Sequence, residues 1–204
     1  LRELASRSML QTDTALAEDI AGCVICAPYL PLGPRPVVRF STTARILIIG
    51  QAPGTKVHHS GIPWQDDSGD RLREWTGLDC DEFYDAAKVA LVPMGFCYPG
   101  KAAGGDAPPR PECAPRWHTR ILERLPADRL TLLVGSYAQQ HYLPKNAGKT
   151  LAERVRGFER FAPAIIPTPH PSWRSVAWRQ LNPWFDAELL PALRSAIRSQ
   201  FRRS

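Results

Sequence analysis

The chain has 204 residues, 44% of them apolar, and carries 26 Lys and Arg against 20 Asp and Glu, a formal net charge of +6. That length suits one compact domain over 1–204 with a sizeable core. No apolar run is long enough to span a bilayer, residues 1–4 open no signal-peptide core, and the positive balance suits a polyanionic partner. A cytoplasmic, reduced setting follows as the expectation, with no membrane partner and few disulfides.

In chain order, residues 12–22 read as a helix with Thr12 or Asp13 as its cap. A turn follows, Cys23-x-x-Cys26, and then the proline-rich stretch Pro28–Pro36. Arg45-Ile-Leu-Ile-Ile49 is a continuous apolar run stopped by Gly50, the pattern of a strand buried on both faces. Three similar runs follow at Val89–Val92, Leu130–Val134 and Ala164–Ile166. Helical stretches are expected near 69–78, 114–125, 136–143 and 151–159, and a last one over 183–200 with Pro183 near its start. Strands alternating with helices predict a three-layer α/β/α fold on a central four-stranded, mostly parallel sheet.

The loops after those four runs carry the unusual residues: Gly50-Gln-Ala-Pro-Gly54, Pro93-Met-Gly-Phe-Cys97, Gly135-Ser-Tyr137 and Pro167-Thr-Pro-His-Pro-Ser172. Ligands of open α/β sheets bind outside the carboxyl ends of the strands, so the four loops are expected to line one crevice. The twenty prolines point the same way, to long ordered loops of the kind that usually serve function.

Four of the five cysteines fall into two groups, Cys23 with Cys26 and Cys97 with Cys113. Soft thiolates presented from one tight turn and from the two ends of a loop suit one metal centre, either zinc or an iron–sulfur cluster. Cys80 is expected to be a buried small hydrophobe.

Gly50-Gln51-Ala52-Pro53-Gly54 after the first strand, with His170-Pro171-Ser172 after the last, resembles the uracil-DNA glycosylase superfamily. The four cysteines, including the step from Cys97 to Cys113, resemble the iron–sulfur families four and five within it. Gly61-Ile-Pro-Trp64, running into a helix through Asp67 and Asp70, is similar to the superfamily's Gly-x-Pro-Phe segment. The resemblance implies an enzyme that flips a deoxynucleotide out of single- or double-stranded DNA and hydrolyses its N-glycosidic bond. It implies a [4Fe–4S] cluster on Cys23, Cys26, Cys97 and Cys113, with zinc as the alternative, and a monomer.

The same resemblance assigns roles. Trp64 would stack on the flipped base, with Gln51, Ala52 and Ser172 lining the pocket and Gln51 counted also among the catalytic residues. His170 would stabilise the departing base anion. Asp67 would position the attacking water. Ser172, Trp173 and Arg174 would contact DNA, with Trp173 as a wedge and Arg174 on phosphate. Gln51 and Ala52 stand where related families carry Glu or Asp, and neither is a general base. Pro93 stands where the family reads the base with Asn. The alternative expectation is therefore a non-catalytic nucleic-acid-binding protein of the same fold.

Overall fold

The computed structural model describes residues 14–202. Its centre is a four-stranded sheet, β1 (Ile46–Ile49), β2 (Val89–Leu91), β5 (Leu130–Val134) and β6 (Ile165–Thr168), in the order β2-β1-β5-β6. Every pairing is parallel, with Ile46 opposite both Val89 and Leu130, and Val134 opposite Thr168. The expected strands are present, and all four residues of β1 are fully buried.

Parallel strands need covered faces, and alternate β1 side chains enter different cores. Ile46 and Ile48 pack with Leu72, Trp75, Phe185 and Leu193. These come from α3 (Asp67–Thr76), a π-helical turn (Phe185–Leu189) and α9 (Leu190–Phe201). Leu47 and Ile49 pack on the other face with Leu16, Ile20, Trp117, Ile121 and Ala138. Those belong to α1 (14–21), α5 (Cys113–Leu122) and α6 (Ser136–Tyr142). The result is the three-layer α/β/α arrangement. Thr12 and Asp13, expected to cap α1, lie outside the described residues.

Four details differ from the sequence reading. Two short helices, α2 (Thr55–Ser60) and α4 (Cys80–Tyr84), and a longer one, α8 (Arg174–Leu181), occupy segments read as loop. The last helix is broken by the π-turn, because Pro191 has no amide proton to give the carbonyl four residues back. Cys80 is exposed, not buried: it opens α4 behind the Asp79–Glu82 capping box, so capping rather than packing decides its place. A small antiparallel hairpin, β3 (Lys101–Ala102) and β4 (Gly105–Asp106), projects from the Cys97–Cys113 loop. The remaining helix, α7 (Leu151–Arg156), starts with the capping box of Thr150 and Glu153. Among the described residues no helix is long and apolar enough to cross a membrane.

Candidate functional site at the carboxyl ends of the strands

Parallel pairing sends the loops after β1, β2, β5 and β6 to one edge of the sheet, as expected. Two glycines there admit a large ring. A Cβ on Gly50 would stand 2.5 Å from the Trp64 indole, and one on Gly69 would stand 1.7 Å from the Trp64 carbonyl oxygen. Trp64 itself has φ 59°, a left-handed conformation that costs a bulky residue about 1–3 kcal/mol. The strain is held by neighbours: its carbonyl accepts a hydrogen bond from Tyr84 Oη (3.2 Å), and Gly69 in the first turn of α3 packs beneath it. The spacing from Trp64 to Gly69 is therefore a fit of a strained tryptophan to a helix start.

That fit is testable. Gly69→Ala places a methyl against backbone, where no flexible chain can yield. The variant is expected to lose about 1–3 kcal/mol and to shift tryptophan emission as Trp64 moves. A variant with unchanged melting and unchanged emission would show that Gly69 does not set Trp64.

Trp64 lies against His170, ring centroids 5.8 Å apart and planes 30° apart. Gly135, at φ 87°, a backbone that favours glycine, lies beside His170, where an added Cβ would make ordinary contact with His170 Cβ at 3.4 Å. Behind the loop, the buried Gln139 amide donates to the carbonyls of Thr168 (2.8 Å) and Leu133 (3.3 Å), and its oxygen accepts from Arg154 Nε (3.1 Å). The His170–Ser175 segment closes on itself through Ser172 N–H to His170 O (2.8 Å) and Ser175 Oγ to Ser172 O (2.7 Å). Burial lowers the His170 pKa from its ordinary value, while the carboxylates of Asp66 and Asp106 act in the opposite direction. A lowered value leaves a neutral imidazole near pH 7, able to donate one N–H.

The other expected site residues fall as follows. Gln51 is half-buried, its amide donating to Ala107 O at 3.4 Å, and Ala52 sits beside it. Asp66, not Asp67, caps α3, accepting Gly69 N–H at 2.9 Å. Asp67 is exposed and paired with Lys56 at 2.8 Å, which lowers its pKa. Even so, Asp67 shares a shallow groove of about 210 Å³ with Asp66, Arg71, Ser172 and Trp173. Trp173 is 70% exposed with the Arg174 guanidinium 5.0 Å from its ring. Arg174 also donates to Gly104 O (2.7 Å), so one of its nitrogens is already engaged with the hairpin. Of the neighbouring histidines, His58 is buried against Tyr98, whereas His59 is exposed.

Pro93 has no side-chain donor, but its carbonyl is fixed. His118 Nε2 lies 3.0 Å from Pro93 O and Nδ1 meets the Tyr142 hydroxyl, with the imidazole stacked between Phe96 and Tyr142. This geometry calls for the tautomer that donates from Nε2 to Pro93 O and accepts from Tyr142 at Nδ1. Burial pushes the His118 pKa from 6.5 down to about 4. The folded protein thus refuses a proton that the unfolded chain takes up below about pH 6.5, and stability falls as the pH drops toward 4. By pH 5 the cost is about 2 kcal/mol at 1.36 kcal/mol per unit. Denaturant titrations at pH 7 and 5 should show wild type losing about that much more than His118→Gln. Equal losses would remove His118 as the titrating group.

The cysteines also meet. Cys23, Cys26, Cys97 and Cys113 line one cavity, with Leu30, Trp117, Arg110 and Glu112 completing its wall. Phe96 N–H donates to Cys113 Sγ (3.3 Å), and Cys26 Sγ lies 3.7 Å from Glu112 Oε2. Burial raises the pKa values of Cys26 and Cys97, and pushes Cys113 up to about 12. Among the described residues no group of three His, Cys, Asp or Glu is placed to hold a single metal ion.

Sheet and site define the class: an open, parallel α/β protein with an aromatic–histidine pair at the carboxyl ends of its strands. The chain belongs to the uracil DNA glycosylase superfamily, whose family model matches residues 38–194. DNA as the partner and N-glycosidic chemistry are what that membership supports.

Proposed function

We propose that the protein is a DNA glycosylase that hydrolyses the bond between deoxyribose and uracil or another deaminated base. The observation that carries this is the Trp64–His170 pair at the strand ends, one flat face to stack on and one neutral donor beside it. The base departs as an anion and the sugar becomes cationic. A fixed N–H at the base oxygen stabilises charge that grows toward the transition state. Trp64 receives the flipped base, Gln51 and Ala52 line the pocket floor, and Ser172 meets the adjoining backbone. Trp173, exposed beside Arg174, fills the gap left in the duplex, and Asp67 in the same groove helps order water there. The basic balance of the chain adds attraction for phosphate.

We also propose a [4Fe–4S] cluster on Cys23, Cys26, Cys97 and Cys113, as in the superfamily's iron–sulfur families four and five. Four soft thiols on the wall of one cavity are the donor type such a group takes, and the family resemblance is what favours it over zinc. Its place is structural: it would tie the Cys23–Cys26 turn to the 97–113 loop.

The test is a panel of single- and double-stranded oligonucleotides carrying uracil, hypoxanthine or xanthine, incubated with excess protein and then treated with alkali. Strand cleavage at one modified position is expected. Binding without cleavage of any of them would favour the non-catalytic nucleic-acid-binding reading, which Gln51 and Pro93 make concrete.

A further inference from the structure

The carboxylates nearest the strand-end loop are already engaged: Gln51 and Ala52 are neutral, Asp66 acts on His170 but gives Oδ1 to the cap of α3, and Asp67 is paired outward with Lys56. The hairpin supplies another. Lys101 and Asp106 are cross-strand partners, and Lys101 Nζ holds Asp106 Oδ1 at 2.8 Å. The other oxygen, Oδ2, points into the loop: a Cβ built on Gly54 would stand only 3.2 Å from it. The side chain is about one-third exposed, at 32%. Its charge is felt at His170.

The hairpin is pinned at both ends. At its root, Ala107 N–H donates to Gly100 O (2.8 Å) and Gln51 Nε2 to Ala107 O (3.4 Å). At its tip, Arg174 donates to Gly104 O (2.7 Å). Gln51 in the loop after β1 and Arg174 beyond the loop after β6 thus hold the hairpin at the strand ends, and Gly54 leaves the space that the carboxylate occupies.

We propose that Asp106 is the catalytic carboxylate of this site, facing the sugar of the flipped nucleotide and holding the attacking water. This rests on the glycosylase reading above. The bond from the sugar anomeric carbon to the base nitrogen breaks, and its electron pair leaves on the base beside His170. The water oxygen bonds to the anomeric carbon, and its released proton passes to Asp106 and on to solvent. The base anion takes a proton from solvent. Lys101 fixes one oxygen so that the other is free for this role.

Two measurements on Asp106→Asn test it. Single-turnover cleavage of the best substrate should slow by about 100-fold or more, as for loss of a general base, with melting temperature unchanged. Separately, wild type should bind duplex containing a cationic pyrrolidine abasic analogue at least about tenfold tighter than the neutral tetrahydrofuran analogue, and Asp106→Asn should lose that preference. Asp106→Glu should recover part of both. If wild type cleaves nothing, yet the preference for the cation depends on Asp106, its place facing the sugar stands while the glycosylase reading and its catalytic role fall. An Asp106→Asn protein that keeps the cation preference would overturn the assignment, as would one that keeps the wild-type rate.

Discussion

Replacing His170 by alanine is expected to slow single-turnover base release about 100- to 1000-fold, the usual effect of removing one fixed donor to a developing oxyanion. The reason is local. The imidazole lies against Trp64, is seated over Gly135, and stays neutral because burial lowers its pKa. A neutral donor needs no compensating charge, so its hydrogen bond strengthens as the base gains charge. The variant should keep its fold, because the loop behind it is held by Gln139 and by the Ser172–Ser175 turn rather than by the imidazole. It should also keep its affinity for DNA, since the exposed Trp173 and the Arg174 beside it are untouched. A rate within threefold of wild type would remove His170 from the chemistry.

Cys113→Ser is expected to have the largest effect on stability. Fresh wild-type protein should be brown, with broad absorbance near about 400 nm from thiolate-bound iron. The serine variant should be pale and should melt roughly 8–16 °C lower, the equivalent of about 4 kcal/mol for loss of a structural metal centre in a chain of this size. Burial pushes the Cys113 thiol pKa up to about 12 and its sulfur accepts the Phe96 amide, so its change opens the cavity from its inner side. Cys80→Ser, at an exposed position, should change neither colour nor melting. Colourless wild-type protein with one equivalent of zinc would replace the cluster by zinc. Colourless, metal-free protein of full stability would remove the metal site altogether.

The sheet was legible because its strands are largely apolar runs, with Thr131 the one polar residue between their ends, and each runs into a glycine or proline. Those loops converge for a topological reason, so a shared strand-end site could be expected from the strand pattern, whereas the roles of Trp64 and His170 came only from the family resemblance. What could not be read was how short polar segments fold back. The cap of α3 falls on Asp66, and Asp67, expected to position water, is turned one residue further on toward Lys56. The hairpin escaped notice because its strands are two residues long and carry no apolar alternation. Its one signal is Gly104-Gly105 between Lys101 and Asp106, a turn pair whose glycines take φ 84° and 159°. Helix α8 escaped because Trp173 to Leu181 mixes exposed Val176 and Leu181 with arginines, leaving no clear apolar stripe.

The central claim is that the crevice between Trp64, His170 and the β3–β4 hairpin receives a flipped base. A crystal structure with duplex DNA carrying a fluorinated, uncleavable deoxyuridine or deoxyinosine tests it most directly. The account predicts the base stacked on Trp64, its oxygen within hydrogen-bond reach of His170, and the anomeric carbon facing Asp106 Oδ2 across one water. A base still stacked in the duplex, or lodged elsewhere on the protein with the crevice empty, would contradict it.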